Sequence, residues 1–227
     1  MTTYTELYSE AKSLRRQWFL ATSTVGATMY NNIVVPVGAT CGIISAVGAG
    51  GWRNNQNTPG GGGAFARKKL SDLVAGELFN IQVGSTRGSL DAGNSGGDSI
   101  ATRLGSSTVV CKAARGTGIV FNGIADGVTI VDGGTPGLAA DCIGDIKRSG
   151  KYGNSTGWEG GFSGGDLDLD YSLGFGGRGS KHGRYPAAGW GGGGIHRFVY
   201  DNDGHIKSYY PGAGRVCIDW FTKDPGF

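Results

Sequence analysis

The sequence predicts an all-β protein: a β-sandwich or jelly-roll-like domain with long glycine-rich insertions, preceded by one N-terminal amphipathic helix. Three observations carry that prediction. Short runs rich in Val, Ile, Phe and Thr recur along the chain with Gly, Asn, Asp and Ser between them, the pattern of strands joined by turns. Glycine supplies 46 of the 227 residues and proline only 6, so a Pro-rich linker does not account for the bias, and the absence of a G-X-Y period excludes collagen. Hydrophobic residues make up 38% and aromatics 10%, more than a disordered low-complexity chain carries, so the glycines belong to ordered structure.

The first element is the helix, expected over residues 3–19. Thr3 and Glu6 form a capping-box pair, and Tyr4, Leu7, Tyr8, Ala11, Leu14 and Trp18 fall at helical spacing. Glu6 and Glu10 precede Lys12, Arg15 and Arg16, the order the helix dipole favours. Residues 1–27 therefore read as a helix and linker serving attachment or oligomerisation, with Leu7, Tyr8, Leu14 and Trp18 as the assembly residues. Acidic residues precede basic ones and no continuous apolar stretch follows, which argues against a signal peptide.

From residue 28 the period changes to that of strands, opening a domain over 28–227. "MYNNIVVPVG" leads into a turn at Pro36-Val37-Gly38, "TCGIISAVGAGG" runs into glycine, "GAFARKKLSDL" alternates, and "GELFNIQVGS" sets Leu78, Ile81 and Val83 in an apolar run. Further strands are expected at "SIATRL", "TVVCKAA", "GIVF" and "GVTIV", and "GAGRVCIDWFT" is expected to close the sheet. A tight hairpin is expected between "IHRFVY" and "HIKSYY", with Asp203-Gly204 at its tip. Glycine concentrates at 48–63, 84–97 and 153–194; the longest insertion, near 150–195, exceeds what a structureless loop in a compact domain normally reaches, so it should have its own order.

Charge and cysteine usage narrow the function classes. A net charge of +3 with Lys and Arg scattered does not favour nucleic acid, and no apolar run is long enough to span a membrane. Cys41, Cys111, Cys142 and Cys217 are far apart with no metal-ligand spacing; Cys41, Cys111 and Cys217 lie in strand-like runs, where buried reduced thiols fit a protein assembled in a cytoplasm.

The succession "VVPVGATCGIISAVGAGG", "GGGGAFARKKLSDLVAGELFNIQVGS", "GGDSIATRLGSSTVVCKAARG" and the closing "GAGRVCIDWF" resembles the glycine-rich domain of bacteriophage tail fibres and related virion structural proteins, over roughly residues 28–221. The resemblance implies a β-sandwich scaffold whose loops pack as polyglycine-II-like rods, in a protein that is part of a phage or phage-like particle. Between 157 and 190 this chain has fewer unbroken glycine runs than the family and more aromatic and acidic residues.

No constellation for catalysis emerges, so a non-enzyme without cofactor is expected. "GFGGRGSK" puts Lys181 after Ser180, contrary to a phosphate-binding loop, and "YDNDGHI" lacks both ends of a calcium loop. Asp166, Asp168 and Asp170 share one face of an extended segment: a solvated face, or partners of Arg178, Lys181 or Arg184, with a divalent ion or glycosidase carboxylates as weaker readings. His182, His196 and His205 share no ligand spacing. The remaining signal is aromatics set in glycine: Trp158, Phe162, Tyr171, Phe175, Tyr185 and Trp190, with Trp52 earlier. Such rings either stack sugars or grip a protein loop, or they pack on glycine backbone and on equivalent rings of another copy.

The sequence-based expectation is thus a virion protein, assembled in the host cytoplasm, that sits in a tail fibre, tail tip or head spike and contributes to host-surface adhesion. The alternatives are a purely architectural capsid, tail-decoration or fibre-base protein and, more remotely, a surface-polysaccharide depolymerase. Expected partners are other copies of the chain, as in a trimer, other virion proteins and host-surface polysaccharide.

Overall fold

Leu78–Val83 shows most directly how this sequence makes a strand: Phe79, Ile81 and Val83 are buried, and the residues between them only half so, giving one core face and one wetter face. In the computed structural model the described residues are 13–23, 26–51, 59–86, 96–118, 120–125, 127–153, 161, 163–164, 191–192, 195–200, 206–209 and 212–225. Their strands are β1 (Ser13–Leu20), β2 (Thr28–Val34), β3 (Cys41–Val47), β4 (Phe65–Leu70), β5 (Leu78–Val83), β6 (Ser99–Arg103) and β7 (Thr108–Ala113). There follow β8 (Val120–Ala125), β9 (Val128–Gly134), a 3-10 turn (Ala139–Asp141), β10 (Ile146–Arg148), β11 (Ile195–Tyr200), β12 (Ile206–Tyr209) and β13 (Arg215–Phe221).

Two antiparallel sheets pack face to face. One runs β1-β13-β3-β4-β10 and the other β2-β5-β6-β7. Their inner faces share one core in which Trp220, Phe79, Ile44, Ile81, Ile218 and Val216 are fully buried, with the Phe79 and Trp220 rings 6.1 Å apart. Each such side chain contributes about 1.5–3 kcal/mol of burial, which is why the strands hold despite their glycine-rich neighbours. β3 and most of β13 are buried on both faces, matching the near-continuous apolar run "CGIISAV"; on the outer side Val47, Phe65 and Cys217 cluster with Trp18 and Ile146.

The all-β expectation holds, and so do the strands it named. β11 and β12 pair as the expected hairpin, whose tip lies outside the described residues. β8 and β9 also pair with each other, as a separate ribbon and not as members of either sheet. Cys41, Cys111, Cys142 and Cys217 are free and buried. No helix among the described residues is long and apolar enough to cross a membrane.

Two expectations need correction. The helix does not extend over residues 13–19: Leu14 and Trp18 lie in β1, paired antiparallel with β13, while Leu7 and Tyr8 fall outside the described residues. Helical spacing was present, but so was alternation. Arg16 reaches Asp219 (2.5 Å) and Trp18 stacks under Arg215 (3.6 Å to the ring centre), while Gln17 accepts a bond from Trp220 Nε1 (2.7 Å) on the other face. Those partners on β13 outweigh local helix preference, which amounts to only tenths of a kcal/mol per residue. β13 in turn does not close the sheet at an edge; it lies between β1 and β3.

The two ends of the sandwich differ. At one, the strands turn back quickly: Ala39 N–H donates to Pro36 O (3.1 Å) with Gly38 at φ 86°, Glu77 N–H to Val74 O (3.0 Å), and Ser107 N–H to Leu104 O (3.1 Å). At the other, the chain runs on from the strands into glycine.

Candidate functional site

At the glycine end, β3 continues into 48–51 and β4 is preceded by 59–64. β5 continues into 84–86, β6 is preceded by 96–98, β7 continues into 114–117, β10 continues into 149–153, and β13 is preceded by 212–214. These segments pair with one another through their backbones, and the pairing has a period of three. Segment 59–64 is the centre. Gly61 N–H donates to Thr117 O (3.0 Å), Gly62 to Lys151 O (2.9 Å), Gly63 to Gly191 O (2.7 Å), and Ala64 returns to the first neighbour at Ala114 O (2.8 Å). Its carbonyls repeat the pattern: Gly134 and Gly137 donate to Pro59 and Gly62, Gly161 and Gly164 to Gly60 and Gly63, and Gly51 and Gly48 to Gly61 and Ala64.

Each direction around the segment is thus used at residues i and i+3. A chain with three residues per turn points successive amides about 120° apart, so it can bond neighbours on every side, as no sheet strand can. Among the described residues, the backbone bonds of 59–64 recur with this three-residue repeat. Glycine is required because the rods approach backbone to backbone. A Cβ on Gly48, Gly51, Gly61, Gly63, Gly116, Gly150, Gly153 or Gly164 would lie closer than 3.0 Å to a carbonyl of a neighbouring rod. The cost of burying these peptide groups is offset because Gly61, Gly62, Gly63 and Ala64 each donate to a neighbouring carbonyl.

Polar side chains tie the lattice to the sandwich. Asp98 accepts the Arg115 N–H (2.9 Å) and pairs with Lys112 (3.1 Å); Ser99 Oγ accepts from Gly84 N–H (3.2 Å); and Ser149 Oγ accepts from Ala139 N–H (2.9 Å). In the sequence Asp98 and Ser99 show only as part of "GGDS"; an acceptor pair placed between a glycine run and a strand is the signal that could have found them. Nearby, Cys142 Sγ accepts the Ala114 N–H (3.4 Å), and burial pushes its thiol upward; burial pushes the Cys111 thiol up further, and that of Cys217 up to about 12. These are inert core thiols.

Every longer excursion of the chain leaves and re-enters this lattice. Residues 52–58 join Gly51 to Pro59, 87–95 join Thr86 to Gly96, 154–160 join Gly153 to Gly161, and 165–190 join Gly164 to Gly191. Rods Gly48 to Gly51 and Gly61 to Ala64 run antiparallel, so the 52–58 excursion starts and ends on the side away from the sandwich. The same holds for 154–160, since Gly150 and Gly153 pair with Gly137 and Gly134. Trp52, Trp158, Phe162, Tyr171, Phe175, Tyr185 and Trp190 all lie outside the described residues, as do Asp166, Asp168 and Asp170, Arg178, Lys181 and Arg184, and His182 and His205. His196 is in β11. Among the described residues no group of His, Cys, Asp and Glu is arranged to hold a metal ion.

No family model matches the chain, and no curated protein matches it.

Proposed function

We propose that this chain is a structural component of a bacteriophage or phage-like particle and that its glycine end contributes to adhesion to the host surface. The reading rests on the sequence resemblance and on one structural observation: a glycine lattice whose backbone bonds recur every three residues lies at one end of the sandwich, opposite an end made of short turns. A lattice of backbone-bonded rods fixes many chain crossings in a narrow bundle without needing a large apolar core. Side chains can then be varied in the excursions while the rods stay constant, which suits a rigid mount for recognition loops. All the aromatic candidates but Phe162 belong to those excursions, and rings interleaved with glycine suit stacking on sugars of a surface polysaccharide. On this reading the protein works by binding, without catalysis, in a virion assembled in the host cytoplasm.

The test is binding of purified protein to intact host cells and to extracted glycans. Trp158→Ala and Trp190→Ala should weaken binding at least tenfold while thermal unfolding is unchanged. If the protein ignores cells but occupies particles that lack it, the adhesin reading fails and the architectural one takes its place.

A further inference from the structure

We infer that Asn122 is a site of self-modification, at which the chain converts its own asparagine to isoaspartate and aspartate through a cyclic imide. Asn122 is the one asparagine of the sequence that is followed by glycine. It lies in β8, which pairs with β9 alone, so the ribbon belongs to neither sheet of the sandwich. Within the ribbon it falls where the register breaks: Phe121 pairs with Gly133 and Gly123 with Ile130, which leaves Asn122 opposite both Val131 and Asp132. Asn122 is exposed, as is Ile124 at 74%, and Gly123 is half-buried. Asn-Gly is a turn-forming pair, yet this ribbon turns at Gly127 (φ 74°), and the dipeptide is held in a strand against its own preference. A two-stranded ribbon with such a defect opens locally without opening the sandwich.

In the opened ribbon the Gly123 amide nitrogen, once it has lost its proton to base, attacks Asn122 Cγ. The new N–C bond forms as the side-chain nitrogen takes up a proton and leaves as ammonia, and a five-membered imide remains. Water then adds to one imide carbonyl and breaks its bond to nitrogen. Attack on the side-chain carbonyl gives aspartate, and attack on the main-chain carbonyl gives isoaspartate. One water enters and one ammonia leaves, with no oxidant or cofactor. Glycine favours the step because its nitrogen has no branched side chain beside it and its backbone is free to bring that nitrogen to Cγ, an intramolecular attack. In the sheets, Asn32 and Asn80 precede Ile33 and Ile81, whose branched side chains crowd the nitrogen, and Asn80 Oδ1 is held by the Asn32 N–H (3.0 Å). Isoaspartate lengthens the main chain by one carbon, so the ribbon cannot keep the pairs on both sides of the bulge, and either product adds a charge across the register from Asp132. The inference stands on the ribbon and is independent of the adhesion reading.

The test holds the purified full chain in mildly alkaline buffer made with heavy-oxygen water and maps its peptides by mass spectrometry. The peptide spanning Asn122 should take up one heavy oxygen and resolve into aspartate and isoaspartate forms, while those spanning Asn32 and Asn80 keep their mass. Conversion should fall in mildly acidic buffer, because the attacking amide must lose its proton. Gly123→Ala should slow it by about tenfold or more, through crowding at the nitrogen. The unaltered chain in denaturant supplies a reference rate that needs no variant to fold. An Asn122 peptide that stays unchanged in the folded chain while it converts in denaturant overturns the inference. So does equal conversion at Asn80, or an undiminished rate in folded Gly123→Ala.

Discussion

A single added methyl group discriminates the lattice from ordinary loop glycine. At Gly63 it would overlap the Gly48 carbonyl, in a place where both backbones are held by bonds on several sides and cannot retreat. Gly63→Ala should therefore cost about 3 kcal/mol, lowering the melting temperature by roughly 6–12 °C. Gly105→Ala meets nothing within 4 Å and should be neutral in the same thermal scan. Charge offers a second test. The bidentate Arg103 guanidinium, donating through Nε and through Nη2 (2.8 Å), holds the Glu77 carboxyl below its ordinary range. A carboxyl with a depressed folded pKa stabilises the fold above its unfolded value near 4.5, and that contribution disappears as pH falls through the folded value. Denaturant midpoints should thus drop below about pH 4.5, and Glu77→Gln should flatten that part of the profile. Thiol reagents should label none of the four cysteines in the folded chain and all four in denaturant, since burial shields each sulfur.

Strands were legible wherever apolar residues alternate or run together, as in "LFNIQV" and "CGIISAV", because burial on one face or two writes directly into the sequence. β1 was not, since Leu14 and Trp18 satisfy a helical stripe and a strand face alike; the deciding partners, Asp219, Arg215 and Trp220, are some two hundred residues away. The period of three was not legible either. Glycine has no side chain to display a face, so only the resemblance pointed to rods, and the aromatic candidates lie outside the described residues. The reassigned β1 carries a prediction of its own. An attachment arm could be removed without harm, but β1 supplies Phe19 to the core and Gln17 to Trp220. A chain starting at residue 21 should lose several kcal/mol and be largely unfolded by circular dichroism at 37 °C.

Sandwich and lattice are two architectures made from the same strands, and this bears on how the whole molecule unfolds. The rod 48–51 is the continuation of β3, 59–64 leads into β4, 114–117 follows β7, and 212–214 leads into β13. Freeing the rods leaves those strand ends unpaired, and opening the sheets removes the alignment that keeps the rods in register. Separate melting of either part would expose backbone groups whose partners are distant in sequence, such as Gly61 with Thr117 or Gly63 with Gly191. A single cooperative transition is the expected result, with hydrogen exchange at the β13 amides around Trp220 in the sandwich core and at Gly61 to Ala64 giving the same free energy. Because so many pairings join distant parts of the chain, refolding should be slow, on the order of seconds or longer. Glycine amides that exchange well ahead of the sandwich core would show that the rods are a dependent appendage, not a mount stiff enough to hold recognition loops in place.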